Sequence, residues 1–407
     1  MSIQNPKSKI QNPLAASSSK VVEIFISTGE VSGDLQGAML VEALQRQAKN
    51  VGLDLKIIAL GGDRMAKAGA TLIANTISIG SVGTLESLPF VLPTLKYQRL
   101  ARQYLRQHPP DLLVLIDYAD PNLSLGSYIR RYIPQLPIAY FIAPQMWVWW
   151  AKPGDVSRIV QFADKILAIF PEEAVYFQNR GAQVSWVGHP LVDRMQHAPS
   201  RQEARATLGI APEQIAIALI PASRRQELKY VLPVIFKAAK AIQAKLPQVH
   251  FWIPLSLEIY RQPIAEAIER YGLQATLLSG QTLEAIAAAD LAITKSGTVN
   301  LEIALLDVPQ VVLYRVSRVT EWIGKYVLKF SAPFISPPNL VQNKPIVPEF
   351  LQAQATPENV TQAALDLLLN PSRRQQILAD YQQMRSKLGD VGACDRAAKA
   401  ILELLAR

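Results

Sequence analysis

The sequence predicts an α/β protein of two doubly wound, parallel-sheet domains that face each other across a cleft. Short runs of Val, Ile and Leu alternate with helical patterns along almost the whole chain, which is typical of parallel sheets covered by helices on both faces. The alternation pauses in a polar segment near residues 197–205 and then restarts. At 407 residues the chain exceeds what one hydrophobic core usually serves, so about two domains are expected.

These patterns divide the chain into four segments. Residues 1–20 form a polar tail with too little apolar content to fold alone, so we expect it to be disordered. Residues 21–195 are predicted to form the first domain, and residues 206–370 the second. Residues 371–407 are predicted to be closing helices, for which the first domain is one candidate packing partner.

Composition limits the classes of function. The formal charge of +9 favours an anionic partner, whether nucleic acid, phosphorylated substrate or acidic membrane surface, and charge alone does not choose among them. No run approaches the roughly 18 apolar residues of a membrane span, and the first 20 residues lack the apolar centre of a signal peptide. We therefore expect a cytoplasmic protein that is at most peripherally membrane-associated. Its one cysteine, Cys394, permits neither an internal disulfide nor a thiolate metal site, and no metal or cofactor is expected.

The first domain opens with the strand VVEIFIS from Val21, followed by a turn and a helix predicted from Ser32 to about Lys49. Ligands of doubly wound sheets lie at the carboxyl ends of the strands. We therefore predict that a ligand binds to residues that follow two strands of this domain: Gly29, Glu30, Ser32, Gly33, Asp34 and Asn122. For Asp34, a role as a helix cap is the competing interpretation.

A fully apolar run, DLLVLI, precedes the polar sequence DYADPN from Asp117 to Asn122. A strand this apolar is covered on both faces, so the polar residues at its carboxyl end are expected in the cleft. We predict that Asp117 is catalytic, with Asp120 as the alternative. Either one can instead serve only to hold hydroxyl groups of the substrate.

The segment from Leu85 to Leu105 combines an apolar block with basic residues at helical spacing. An apolar knob beside a basic stripe is what an interfacial membrane contact needs. A core-facing helix with a solvated basic face is the alternative. The residues predicted to touch the membrane are Leu88, Phe90, Val91, Leu92, Leu95, Lys96, Arg99 and Arg102.

The sequence APQMWVWW contains three tryptophans, which suggests either a wall for a large or greasy ligand or an ordinary aromatic core. His189, between Gly188 and Pro190, is predicted to lie on a loop, where a lone histidine is more often packed than catalytic.

In the second domain, the strand QIAIALI is followed by Ser223 and Arg224, and a guanidinium at this place can clamp a diphosphate. A later strand leads into Ser296, Gly297 and Thr298, where a turn becomes a helix. Free backbone N–H groups there favour a phosphate.

Glu302 follows one helical turn later, where a carboxylate can accept hydrogen bonds from ribose hydroxyls. A nucleotide is therefore predicted here, with Asn339 in a proline-rich loop as a further polar contact. A capped helix with an ordinary surface glutamate is the alternative.

Ordered motifs spread over both domains resemble the lipid-A-disaccharide synthase family. They are GEVSGD from Gly29, GGDRMAKAG from Gly61, IDYADPN from Ile116, PQMWVW from Pro144, FPEEAVYF from Phe170, VGHPLVD from Val187, PASRRQE from Pro221, SGTVNLE from Ser296, PNLV from Pro338 and VPEFLQ from Val347. The resemblance implies a GT-B architecture and an inverting transfer without a metal. The implied donor is UDP-2,3-diacylglucosamine and the implied acceptor is 2,3-diacylglucosamine 1-phosphate.

By the same resemblance, Asp117 matches the essential aspartate and Arg224 the essential arginine, while Glu302 and Asn339 match nucleotide-site residues. The resemblance also implies that the ligand predicted after the two strands of the first domain is the acceptor. The apolar and basic segment from Leu85 matches a membrane-facing patch, which implies contact with the inner face of an anionic membrane. Nucleic acid is not an expected partner. The oligomeric state is open, with a homodimer as one candidate.

The chain departs from the family pattern at several positions. They are Asp63, Trp150, Pro153, Ala222 and Lys295. None removes a predicted catalytic group, but Lys295 and the aromatic loop can change acyl-chain or phosphate preference.

Two other functions fit parts of the pattern. One is another UDP-sugar enzyme of the same architecture, such as a UDP-N-acetylglucosamine epimerase or a membrane-associated N-acetylglucosaminyltransferase. The other is a non-catalytic binder of membrane surfaces. Vesicle binding and turnover of UDP-diacylglucosamine distinguish them.

Overall fold

A computed structural model describes residues 21–77, 88–148, 153–323, 326 and 333–406, with the backbone alone described for residues 88–90, 153 and 406. The polar tail of residues 1–20 lies outside this range. In the described part of the chain, no helix is both long and apolar enough to cross a membrane.

The first domain holds a parallel sheet of seven strands, in the order β3-β2-β1-β4-β5-β6-β7. Its strands are β1 (Val22–Ser27), β2 (Leu55–Gly61), β3 (Thr71–Asn75), β4 (Leu112–Ile116), β5 (Ile138–Phe141), β6 (Lys165–Ala168) and β7 (Val184–Trp186). Its helices are α1 (Glu30–Asn50), α2 (Asp63–Lys67), α3 (Leu88–Gln107), α4 (Ala119–Tyr132), α5 (Pro153–Phe162), α6 (Pro171–Gln178) and α7 (Pro190–Met195).

The second domain holds a parallel sheet of six strands, in the order β10-β9-β8-β11-β12-β13. Its strands are β8 (Ile215–Ile220), β9 (Val249–Leu255), β10 (Ala275–Ser279), β11 (Leu291–Lys295), β12 (Gln310–Tyr314) and β13 (Glu349–Leu351). The helices are α8 (Arg201–Leu208), α9 (Arg225–Tyr230), α10 (Leu232–Lys245), α11 (Arg261–Tyr271), α12 (Thr282–Ala287), α13 (Val299–Leu305), α14 (Arg318–Trp322), α15 (Pro337–Gln342), α16 (Pro357–Leu369), α17 (Pro371–Leu388) and α18 (Ala393–Leu402).

The predicted fold class is confirmed, because both domains are parallel sheets with helices between successive strands. Strand β4 shows why: all five of its residues are buried. Its side chains alternate between two separate apolar clusters, with Leu112 and Val114 in one and Leu113 and Leu115 in the other. Side chains of successive strand residues point to opposite faces, so a strand this apolar needs cover on both.

Two boundaries differ from the expectation. Helix α1 begins at Glu30, two residues before the predicted start, so Glu30 itself lies in the first helical turn. The predicted start of the second domain is residue 206, but its first helix, α8, begins at Arg201, within the polar and helical-looking segment near residues 197–205. Helix α8 buries Ala204 among residues of the second domain.

The closing helices lie against different domains. Tyr381 on α17 accepts a hydrogen bond from Gln310 on β12, at 3.2 Å. Helix α18 packs on the first domain, where Asp395 pairs with Arg46 of α1 at 2.9 Å. The backbone before and at the start of α18 donates three hydrogen bonds to Asp193, which lies on α7. The end of the chain therefore ties the second domain back to the first.

Candidate active site

Each sheet has one point at which the strand order reverses, between β1 and β4 in the first domain and between β8 and β11 in the second. Ligands of open α/β sheets bind at the carboxyl ends of the strands flanking such a point. Glu30 follows β1, Asp117 follows β4, Arg224 follows β8 and Ser296 follows β11. The topology thus brings the predicted catalytic and nucleotide-binding residues to one cleft.

Two cavities meet in this cleft, and Arg224, Gly297 and Thr298 line both. We call the first the polar cavity; its charged lining residues are Glu30, Arg64, Arg194, Arg224, Lys295 and Glu302. The second is the apolar cavity; beside Asp117, its lining includes Ile142, Trp147, Phe170, Leu301 and Leu340. Their volumes of 1020 and 1390 Å³, both open to solvent, can admit a ligand of several hundred Å³.

Asp117 sits in an unusual backbone conformation. Its φ of 45° and that of Tyr118, 52°, both lie in the left-handed region, which costs a non-glycine residue on the order of 1–3 kcal/mol. The carbonyl oxygen of Asp117 accepts hydrogen bonds from Asn122 Nδ2 at 2.9 Å and Tyr140 Oη at 3.0 Å. These bonds hold the strained turn, which fixes the direction of the Asp117 carboxyl group.

The Asp117 carboxyl group lies in a setting that disfavours its charge. Burial, with the negative charge of Glu30 adding to it, raises the pKa of Asp117 to about 6. A carboxylate with such a pKa is ionised at neutral pH and is more basic than an ordinary aspartate. Asp120, the alternative candidate, is exposed. The geometry therefore favours Asp117 as the base.

Arg224 forms an ion pair between the two domains. Its Nη2 lies 2.5 Å from Glu30 Oε2, and its Nη1 lies 3.5 Å from Glu227 Oε1 on its own helix α9. Glu227 also accepts the backbone N–H groups of Ser223 and Arg224, at 2.6 and 3.0 Å. The guanidinium is thereby held at the junction of the two cavities, where a diphosphate would compete with Glu30 for it.

Glu302 is buried on the wall of the polar cavity, where its Oε1 accepts a hydrogen bond from Arg194 Nη1 at 2.6 Å. Burial raises the pKa of Glu302, while the charge of Arg194 opposes that rise. Arg194 thus donates to one of the two carboxylate oxygens of Glu302. The other oxygen is the acceptor that the ribose prediction requires.

The turn before α13 offers fewer free backbone donors than predicted. The N–H of Ser296 donates to Leu313 O at 2.8 Å, and the N–H of Gly297 donates to Asn300 Oδ1 at 2.8 Å. The Ser296 hydroxyl donates to Ile335 O at 2.8 Å. The expectation that free N–H groups at this turn suffice for a phosphate is therefore corrected, because two of the three are already bonded.

Three predicted contact residues are used inside the protein. Asp34 is buried within α1 and accepts hydrogen bonds from the backbone N–H groups of Arg64 and Met65 in the first turn of α2, so it does not cap its own helix as the competing interpretation expected. Asn122 is fully buried and joins Ser27 to the end of β4. Asn339 is fully buried and bonds to Val347 and Glu349. Because these three side chains are buried and bonded within the protein, their predicted direct contacts with a ligand are corrected.

Of the other ligand-binding residues predicted in the first domain, two line the polar cavity and two are glycines that do not. Glu30 and Ser32 line the polar cavity. Gly29 and Gly33 lie behind it, where a Cβ would collide with the Tyr118 ring at residue 29 and with Thr28 Oγ1 at residue 33. These glycines permit close packing around the site. Since glycine has no side chain, only the backbone of these two residues could contact the acceptor, and that contact stays a prediction.

The described tryptophan of the aromatic motif, Trp147, both packs against the main apolar core cluster and lines the apolar cavity. Trp147 is partly exposed, lines the apolar cavity and packs on Phe170 with ring centroids 5.8 Å apart. Trp149 and Trp150 lie outside the described residues. His189 is buried, accepts the Leu191 N–H at 3.2 Å, and has its pKa lowered to about 3 by burial. It is therefore a neutral, packed loop residue.

The predicted membrane-contact surface lies on α3. Val91, Leu92 and Leu95 are 44%, 77% and 48% exposed, and Lys96 and Arg99 are exposed too. These five residues are called the α3 surface below. The side chains of Leu88 and Phe90 lie outside the description. Arg102 differs, since it donates to Ser124 Oγ at 2.7 Å and stacks on Tyr128. The apolar side chains at the start of α3 are exposed, whereas Ala101 and Leu105 further along the helix are buried in the core, so the membrane contact stays a prediction.

Sequence reasoning assigned no role to Arg64 or Arg194, which supply two of the cations of the polar cavity. Arg64 was visible in the motif GGDRMAKAG and Arg194 directly follows VGHPLVD, but no local pattern links either to Glu302. Among the described residues, no group of three His, Cys, Asp or Glu side chains is placed to hold a metal ion.

Comparison with known proteins identifies the family and the fold of this chain. A family model described as lipid-A-disaccharide synthetase matches residues 24–404. A lipid-A-disaccharide synthase of Gloeothece citriformis is 60% identical, with 94% of this chain and 100% of the relative covered, and one of Synechocystis sp. is 54% identical, covering 94% and 98%. A solved UDP-GlcNAc 2-epimerase of Neisseria meningitidis, bound to UDP-GlcNAc, has a TM-score of 0.61 at 13% identity, covering 95% and 99%. That likeness shows the fold alone.

Proposed function

The chain belongs to the lipid-A-disaccharide synthase family and is a glycosyltransferase, and on this premise we propose its substrates, its catalytic residues and its membrane contact. The donor is UDP-2,3-diacylglucosamine and the acceptor is the C6 hydroxyl of 2,3-diacylglucosamine 1-phosphate. The products are UDP and the β-linked disaccharide phosphate. Family membership at this identity sets aside the epimerase and the N-acetylglucosaminyltransferase.

One observation carries the catalytic proposal: a carboxyl group from the first domain and a guanidinium from the second line the same cavity. The acceptor oxygen attacks the anomeric carbon as the bond from that carbon to the diphosphate oxygen breaks. The proton of the attacking hydroxyl passes to Asp117. The negative charge that develops on the leaving UDP is stabilised by Arg224.

The two cavities suit the two kinds of substrate chemistry. The polar cavity contains Glu302 and Arg194 for a ribose, and it adjoins Ser256 and Thr282. The apolar cavity, with Trp147, Phe170 and Leu301, suits the acylated sugars. Lipid substrates also explain why the α3 surface exposes apolar side chains beside Lys96 and Arg99. We place the enzyme on the inner face of an anionic membrane.

The nucleotide assignment is tested by thermal stabilisation. A ligand present at about 100 times its Kd adds about 2.7 kcal/mol to the free energy of unfolding, so saturating UDP should raise Tm by a few degrees. Replacing Glu302 with Gln keeps the shape but weakens the acceptor for ribose hydroxyls, so the shift should shrink. The matched control is the exposed Glu321→Gln on α14, which should keep the full shift. An equal shift with TMP or inorganic phosphate would refute the uridine-ribose assignment.

The membrane assignment is tested by co-sedimentation with anionic vesicles. Each basic side chain near the surface is worth about 1 kcal/mol at modest salt. Binding should therefore weaken as salt rises, yet persist while apolar side chains insert. We expect Val91, Leu92 and Leu95 changed together to Ser to reduce bound protein several-fold. Three exposed apolar residues on other elements, Val51, Ile259 and Leu369, form the matched Ser control. If both triple variants bound vesicles equally well, the α3 surface would not be the membrane contact.

A further inference from the structure

Lys295 is the last residue of β11 and directly precedes the turn of Ser296, Gly297 and Thr298. Its side chain is only 7% exposed, yet it lines the polar cavity. The ammonium group lies against Gly297, where a Cβ would collide with Lys295 Nζ. A glycine at 297 is therefore what leaves space for the lysine to lie along the turn.

The ammonium group has no ion-pair partner among the residues that the structure describes. The carboxylates around it are Glu30, Glu227 and Glu302, and each is paired with an arginine instead, at 2.5, 3.5 and 2.6 Å. Burial lowers the pKa of Lys295, and these three carboxylates oppose that effect. A buried charge without a partner is costly, so its retention indicates an anion that arrives from outside.

Charge and donor geometry indicate which anion this is. Four cationic side chains and two carboxylates line the polar cavity, and Glu227, paired with Arg224, lies beside it, so positive charges still outnumber negative ones. The diphosphate of a sugar nucleotide carries two negative charges. The turn at residues 296–298 offers fewer free backbone N–H donors than expected, because the N–H groups of Ser296 and Gly297 are already hydrogen-bonded. The lysine adds the donors that the backbone there does not provide.

We propose that Lys295 Nζ binds the donor's diphosphate and, with Arg224, stabilises the negative charge that develops on the departing UDP. This assignment rests on the proposed function, since it needs a nucleotide diphosphate at this site. Arg224 approaches from β8 and Lys295 from β11, the two strands that flank the switch point of the second sheet. The two cations thus reach the diphosphate from neighbouring strand ends.

The test compares Lys295→Met with the parent by calorimetric titration of UDP and by competition of uridine against a labelled UDP. Methionine keeps the approximate length of the side chain and removes the charge. We expect the Kd for UDP to rise at least about 10-fold, the equivalent of about 1.4 kcal/mol, and the Kd for uridine to stay within about twofold. The control is Lys229→Met on α9, an exposed lysine outside both cavities, which should change neither.

Thermal unfolding without ligand separates this role from a structural one. Because the ammonium is buried and unpaired, Lys295→Met should have a Tm equal to or above that of the parent. A lower Tm together with weaker binding of both uridine and UDP would make Lys295 a structural residue and overturn the assignment. Unchanged UDP affinity in Lys295→Met, while Glu302→Gln still weakens it, would also overturn it. If the parent itself did not bind UDP, the proposed function would fail instead.

Discussion

Replacing Asp117 with Asn is expected to lower turnover by roughly 100-fold or more while UDP binding persists. Asparagine keeps the shape of the side chain but cannot take the proton of the attacking hydroxyl. Asp117 lies in the first domain and the nucleotide residues in the second, so the affinity for UDP should change little. Turnover is measured with synthetic donor and acceptor, and mass spectrometry identifies the product.

The pH dependence gives this prediction a second readout. With the pKa of Asp117 raised to about 6, kcat/KM should rise with pH up to about 6 and level off above it, since only the ionised form accepts a proton. The raised pKa also means that ionisation of Asp117 destabilises the folded protein. The free energy of unfolding therefore falls as the pH rises from 3.8 to about 6 and stays lower above that. Asp117→Asn should therefore match or exceed the parent in Tm at pH 7.5, despite its lost activity.

Asp120→Asn is the matched control, because Asp120 is exposed three residues away. It should retain turnover within a few-fold of the parent. Near-normal turnover in Asp117→Asn, with the product still β-linked, would contradict the assignment. A large loss in Asp120→Asn alone would move the base to that residue.

Replacing Arg224 with Gln is expected to lower kcat/KM by at least about 100-fold, because the leaving diphosphate loses its guanidinium. Removing one partner of a partly buried charge pair also leaves Glu30 and Glu227 without their arginine. We therefore expect Tm to fall by a few degrees. Kinetics with the acylated substrates and thermal unfolding measure the two effects.

Arg225 is the matched control, because it is the next residue in the chain, is also an arginine and is exposed. Arg225→Gln removes the same charge from α9 and should stay within about twofold of the parent in kcat/KM. Lys at position 224 restores the charge but cannot span Glu30 and Glu227 as the planar guanidinium does. It should recover only part of the rate. Activity of Arg224→Gln near that of the parent would refute the role of this residue.

The sequence by itself determined the fold class and the strands that carry the site. Runs such as DLLVLI admit only burial on both faces, and each polar residue directly after such a run must lie at a strand end. Asp117, Arg224 and the turn at Ser296 were found in this way. The exposed apolar side chains of α3 followed from the same reasoning, because a local surplus of apolar residues beside basic ones fits poorly in a core.

Only the tertiary structure decided which polar side chains are free to meet a ligand. Asp34, Asn122 and Asn339 stand in the predicted motifs, yet their farthest hydrogen-bond partners are 31, 95 and 10 residues away along the chain. The same holds for the pairs of Arg224 with Glu30 and of Arg194 with Glu302, which are 194 and 108 residues apart. Hydrogen-bond satisfaction depends on neighbours in space, and a spacing pattern reports only neighbours along one element. For the same reason, only the tertiary structure shows that Lys295 has no carboxylate partner among the described residues.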